Sequence, residues 1–288
     1  DLGARTAMRP QCALVLCEWD RHNVCARVPT ATQAGPEWDN SARAGRWAFD
    51  AADVFVERSA EIEFAMHGVG HEHWERGERT RAEWFGGTVE AQWPRHVLNA
   101  HLNCFRLLLR QYGLDPTRGH TYPGSFVPCA FRYLWDTGDP DGTGAFMRDA
   151  GVRYISTPFA SCTFRSGRPQ TDGGIDHGVL VLDRGRNAVP WHVYDTVPES
   201  VPETSICGVH WPNVLRADPE RNEGAVARWA AYLEALAAYP GLMLAHSTAE
   251  AWSQWLHVRH GRLRQRGQGV EYIRPVGNPA ASAYEQPP

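Results

Sequence analysis

Short apolar runs alternate along this chain with longer stretches in which apolar residues recur every three or four positions. The short runs predict strands over 12–16, 62–66, 125–128, 152–156, 179–182, 206–209 and 242–245. The clearest helix pattern covers 94–112, where Leu98, Leu102, Phe105, Leu109 and Tyr112 repeat at fours and threes. Pro94 suits its first turn, Gly113 its C-terminal cap, and Pro116 follows. A second helix is predicted over 222–239, with Asn222 as cap and Val226, Trp229, Leu233 and Leu236 on one face. A shorter one is predicted over 145–150, and Ser247-Thr248-Ala249-Glu250 reads as a helix start. Strand alternating with helix implies an α/β fold with a parallel sheet, open or closed into a barrel. Segments 20–45 and 157–200 are rich in Pro, Gly, Asp and Thr, and loops that long in a compact domain are often functional. The tail 276–288 reads as frayed.

Composition narrows the classes. The chain has 288 residues, 43% hydrophobic and 22% charged, which suits one large α/β domain or two small ones; with no internal repeat or low-complexity linker to split it, a single domain is expected. The net charge of -4 carries no basic footprint, so nucleic acid is not the expected partner. No apolar run approaches membrane length and no signal peptide is visible. The seven cysteines are scattered, and Cys12, Cys17 and Cys207 sit in apolar runs as small hydrophobes. They point to a reducing, cytoplasmic setting. Of the 12 tryptophans, Trp19, Trp74, Trp191 and Trp211 adjoin polar motifs. They suit a pocket for a sugar-like or ring-bearing ligand, or plain packing.

The chemistry gathers where apolar runs end. The run 62–66 leads into His67-Gly68-Val69-Gly70-His71-Glu72-His73-Trp74. Two histidines four apart, with glycines between them, can turn both imidazoles toward one ion. The run 13–17 leads into Glu18, Trp19 and Asp20, and the run 205–209 into His210, Trp211 and Asn213. A carboxylate with two histidines is a ligand set for Zn²⁺ and its neighbours that keeps positions open for water and substrate. A further histidine can protonate a leaving group. Each residue also has a quieter reading: Asp20 as a turn or cap, Glu18 paired with an arginine, His210 bonded in the core. His73 reads as a rim or outer residue, and Asp172, Asp176 and His177 as site or turn residues.

Taken in order, these elements resemble the polysaccharide-deacetylase (NodB homology) superfamily of carbohydrate esterases. The resemblance spans about residues 10–256. It rests on Cys17-Glu18-Trp19-Asp20, His67 to His71, Phe126-Val127-Pro128-Cys129-Ala130, Gly151-Val-Arg-Tyr154-Ile-Ser156 and the run ending at His210. It implies a distorted, TIM-barrel-like (β/α) barrel holding one divalent metal, Zn first and Co, Ni or Mn next. Asp20, His67 and His71 are its implied ligands and His210 the catalytic acid. The sequence departs from the family at the general-base Asp, here Trp19, and at the arginine that orients it, here Val127. The base is then Glu18, Asp20 itself or metal-bound hydroxide alone, with Glu18 the geometric substitute, and Arg132 is the candidate for the orienting task. Trp19, Trp74, Arg132, Trp191, Trp211 and Asn213 are the expected substrate contacts. The implied activity is metal-dependent hydrolysis of an amide C–N bond, such as N-deacetylation of an acylated amino sugar or small metabolite. The long 157–200 insert resembles the allantoinase and cyclic-imide-hydrolase branch, so a cyclic amide or ureide is the alternative substrate. A sugar-binding homologue that has lost its base is the non-enzymatic alternative.

Overall fold

Five apolar runs of the first 185 residues pair into one sheet, seen in a computed structural model of the chain. The structure describes residues 8–85, 92–114, 123–167, 172–204, 206–216, 218–267 and 269–273, without the side chain of 272; Pro116 and the 276–288 tail lie outside them. The sheet holds β1 (Gln11–Val15), β2 (Glu63–Gly68), β5 (Ser125–Phe126), β7 (Tyr154–Thr157), β10 (Val179–Asp183) and β9 (Gly173–Asp176), in that spatial order. Neighbours are parallel except for the β9–β10 hairpin. The fold is therefore mixed α/β with a mostly parallel six-stranded sheet. Its register puts Leu14 opposite Met66, Met66 opposite Phe126, Phe126 opposite Ile155 and Ile155 opposite Val181. Met66, Phe126, Ile155 and Val181 are all at most 1% exposed, one continuous rung of core. Burying each side chain of this kind contributes about 1.5–3 kcal/mol.

Helices connect the parallel strands: α1 (Arg46–Glu57), α2 (Arg95–Arg110) and α3 (Thr143–Asp149). In α2, Pro94 is the N-cap, and Leu98, Leu102, Phe105 and Leu109 are buried as their spacing predicts. Gly113 closes the helix with φ +72°, where the Leu114 amide bonds the Leu109 carbonyl. The α1 helix, absent from the predicted elements, buries Ala48, Ala52 and Phe55 at i, i+4 and i+7, a period the sequence does carry. Two further pairings decorate this unit: the hairpin β3 (Glu72–Glu75) with β4 (Glu78–Ala82), and parallel β6 (Tyr133–Asp136) with β8 (Cys162–Ser166).

The chain divides into two compact units, residues 10–185 and residues 1–9 with 186–288. The boundary falls inside the loop-rich 157–200 segment. The second unit contains α4 (Trp211–Val214), α5 (Asn222–Ala237), α6 (Thr248–His260) and the hairpin β11 (Arg262–Arg266) with β12 (Gly269–Ile273). Ser247 caps α6 by accepting the Glu250 amide, as its sequence predicts. The expected strands over 206–209 and 242–245 are not strands here. Four-residue apolar runs carry no readable period, and Gly241 at φ +80° turns the chain before the second one. No helix among the described residues is long and apolar enough to cross a membrane.

Candidate metal centre

The site grows from the carboxyl ends of two adjacent central strands, the edge where parallel α/β sheets place their ligands. His67 is the fifth residue of β2, and Cys129 follows β5 by three residues in a tight turn. Beyond Gly68, the last residue of β2, the chain loops back through Val69, Gly70 and His71 to β3. His67, His71 and Cys129 thereby offer ligand atoms that all lie within 4.8 Å of one another, the one such group among the described residues. The two imidazoles stand edge to face with centroids 5.1 Å apart.

Each member is oriented by the backbone around it. His67 Nδ1 donates to the Val127 carbonyl at 2.6 Å, which leaves Nε2 as the free ligand atom. A ring nitrogen tied to a carbonyl is the usual support of a metal-bound histidine. Position 127, where the resembling family has an arginine, thus acts through its main chain. Cys129 Sγ sits 3.1 Å from the His67 carbonyl, which also accepts Trp84 Nε1 at 2.7 Å. The Ala130 amide reaches His71 Nε2 at 3.4 Å. His71 itself has φ +71°, a left-handed conformation that a non-glycine residue adopts only when its surroundings impose it.

The imposing group is Glu83. It is fully buried, and its carboxylate accepts the amides of Val69 at 2.9 Å, Gly70 at 3.1 Å and His71 at 2.9 Å. His101 Nδ1 meets it at 3.1 Å, and His101 Nε2 meets the Thr30 hydroxyl at 2.8 Å. The two glycines are needed for contact rather than for φ. A methyl on Gly70 would lie 1.7 Å from the Ala31 carbonyl oxygen, and one on Gly68 would lie 2.2 Å from Glu83 Oε2.

Burial sets the protonation of the cluster. It pushes His67 down to about 4, so the neutral imidazole that a cation requires is the resident form. Burial, reinforced by the charges of Glu83 and Glu72, pushes the Cys129 thiol well above its ordinary range. A cation binding there must displace that proton. Two imidazoles and a sulfur suit Zn²⁺, with Co²⁺ and Ni²⁺ as near substitutes, so the donor set fits a divalent metal.

The other expected site residues are placed by their own contacts. Asp20 does not join His67 and His71. It is fully buried, and its oxygens accept the amides of His22, Val24 and Cys25, Trp38 Nε1 and Gln111 Nε2. Burial raises its pKa, but the bonds from Cys25, Gln111 and Val24 outweigh that and hold it below the usual value. Its quieter reading, a turn residue that organises the loop after β1, is the one its contacts match. Glu18 is exposed on the helical turn Cys17–Trp19. Residues 18 and 20 would share a face on an extended strand, but the strand has already ended at Val15. Trp19 is 6% exposed and packs on Trp47, Phe55 and Tyr112 in the core, not in a pocket. Trp74 is half-buried and Arg132 exposed in the first unit.

His210, Trp191, Trp211 and Asn213 belong to the second unit. His210 is half-buried and precedes α4 as its N-cap. Asn213 is fully buried, accepts the His210 amide at 2.7 Å and donates to the Pro190 and Val193 carbonyls. That is a structural clasp with no polar atom left for a substrate. Trp191 and Trp211 are 65% and 59% exposed. His73 is not a rim residue: it is 2% exposed and stacked 3.7 Å from Trp93. Asp176 ends β9 and accepts the Tyr133 hydroxyl, and His177 opens the two-residue turn to β10.

Sequence reasoning missed Cys129 as a donor and Glu83 altogether. The one signal for Glu83 was a carboxylate set in the apolar run Ala82-Glu83-Trp84-Phe85. Compared with protein-family models, with curated proteins and with solved structures, the chain gives no match.

Proposed function

We propose that this protein is a divalent-metal-dependent hydrolase of an amide-type C–N bond, with His67, His71 and Cys129 as the residues that hold the ion. The observation that carries the reading is the convergence of two imidazoles and a thiol at the carboxyl ends of β2 and β5. A divalent cation held there supplies Lewis acidity toward a carbonyl and toward water. The chain's own residues supply the rest. The Val127 carbonyl fixes the His67 tautomer, the 68–71 loop aims His71, and the Cys129 sulfur closes the set from beneath the loop. The resemblance to the NodB superfamily supports N-deacetylation of an acylated amino sugar or small metabolite, with a cyclic amide or ureide as the alternative. The same resemblance carries a closed (β/α) barrel and His210 as proton donor.

One observation favours a second reading. The cluster contains no carboxylate, and Glu18 faces solvent, so a metal-binding homologue without a general base also fits. Turnover separates the two. Zinc-loaded protein is offered N-acetylated amino sugars and small cyclic amides, and acetate release or ring opening is followed. The hydrolase reading expects turnover on one class that falls at least about 100-fold in His71→Ala. No turnover on either class, with one equivalent of zinc bound, leaves the binding-only reading. His210→Ala tests the proton donor separately, with an expected loss of about 10²–10⁴ in rate.

A further inference from the structure

The carboxylate of Glu83 is the most heavily bonded side chain near the candidate centre, yet it is not one of the donors. Its four acceptor contacts are the amides of Val69, Gly70 and His71 and the ring of His101. Three consecutive amides pointing at one carboxylate form a nest, a concave backbone turn that holds an anion. Here the anion is built in. The carbonyls of this stretch accept backbone amides, Val69 from Cys17 and His71 from Glu83, whereas its three amides go to the Glu83 carboxylate.

Behind it, the line continues to His101 on α2 and to Thr30 on the loop after β1. Thr30, His101 and Glu83 are bonded in the order of a hydroxyl–imidazole–carboxylate triad. The arrangement does not serve as one: both oxygens of Glu83 are engaged by the loop and His101 is fully buried. What the line does is anchor Glu83 from three separate segments. The positive φ of His71 follows, because an amide turned toward Glu83 Oε2 leaves the His71 side chain on the opposite side, toward Cys129 and His67.

We propose that Glu83 is the positioning residue of this centre, holding His71 within reach of His67 and Cys129 through the 69–71 amides, with His101 and Thr30 as its support. The metal part of this proposal rests on the reading given above; the positioning part does not.

The test uses the full-length chain and Co²⁺ as probe. Glu83→Gln keeps the size of the side chain but turns an NH₂ group toward the amides it must satisfy. The expected result is a Co²⁺ affinity 10–100-fold weaker than wild type, the usual cost of losing a supporting group behind a ligand. Amide exchange at 69–71 should rise in parallel, while the exchange of β5 and β7 stays as it was. A role in stability alone would raise exchange throughout and leave the affinity of the folded fraction unchanged. Wild-type affinity with protected 69–71 amides in Glu83→Gln overturns the proposal. Should Glu83→Gln not fold, Thr30→Val decides. It removes only the outermost bond, and several-fold weaker Co²⁺ binding with faster 69–71 exchange is expected. No change in either overturns the proposal. If the wild-type protein binds no Co²⁺, the metal reading fails, and amide exchange in the same variants still decides whether Glu83 positions the loop.

Discussion

Replacing Gly68 by alanine puts the closeness of this loop to a quantitative test. The new methyl would lie 2.2 Å from Glu83 Oε2, 2.9 Å from its Cδ and 3.0 Å from Cys129 Sγ. Glu83 has no room to retreat, being fully buried and bonded to three amides and His101. Inserting a methyl into such packing costs about 1–3 kcal/mol. If Oε2 is pushed aside, the Gly70 and His71 amides lose their acceptor, at about 1–3 kcal/mol for each buried donor. Gly→Ala returns about 0.4–1 kcal/mol by restricting the unfolded chain. The expected net loss is about 2–9 kcal/mol, a large share of the 5–15 kcal/mol of an ordinary domain. Urea unfolding followed by far-UV circular dichroism reads it as a lower midpoint at unchanged slope. Gly124→Ala is the control, because a methyl there meets nothing within 4 Å. A Gly68→Ala loss below about 1 kcal/mol, or one equal to that of the control, refutes the reasoning.

Other expectations follow from the same contacts. His73, flat against Trp93, is held down to about 4 by burial and by the charges of His101 and Arg81, against 6.5 when unfolded. The unfolded chain therefore takes up a proton first, so metal-free protein loses stability as pH falls from 6.5 to 4 and no further below. The loss from this residue is up to about 3 kcal/mol, and His73→Phe should flatten the profile over that window; an unchanged slope contradicts the assignment. Asp20→Asn keeps one acceptor where the loop presents five donors and should cost about 2–4 kcal/mol while the bound zinc stays at the wild-type level. Loss of zinc from folded Asp20→Asn would restore the ligand set that the resemblance implies. Asn213→Ala removes the clasp on Pro190, Val193 and His210 and should lower the stability of the second unit by about 2–4 kcal/mol, read by thermal unfolding; an unshifted transition counts against that role.

The parts of this molecule that the sequence makes legible are those governed by local pattern. Strands β1, β2, β7 and β10 and helices α2 and α5 lie within a few residues of their apolar periods. The convergence of His67 and His71 follows from spacing and two glycines, which is also local information. Non-local partners are what the pattern hides. Asp20 is the expected ligand and Cys129 is not, yet a single helical turn after β1 sends Asp20 into five hydrogen bonds, while the turn after β5 brings Cys129 within reach of the histidines. Glu83 acts on amides 12 to 14 residues earlier in the chain, a relation no motif expresses. The runs 206–209 and 242–245 show the reverse failure: four apolar residues satisfy a strand pattern, yet neither run is a strand.

The central claim is that His67, His71 and Cys129 bind one divalent metal ion. The most direct measurement is the zinc content of dialysed full-length protein, with Co²⁺ absorption as its spectroscopic partner. The account predicts close to one equivalent in the wild type and a sulfur-to-cobalt charge-transfer band. His67→Ala and His71→Ala should hold almost no metal, and Cys129→Ser should lose the band. A wild-type protein that binds no zinc on addition, or a Cys129→Ser protein with an unaltered cobalt spectrum, contradicts it.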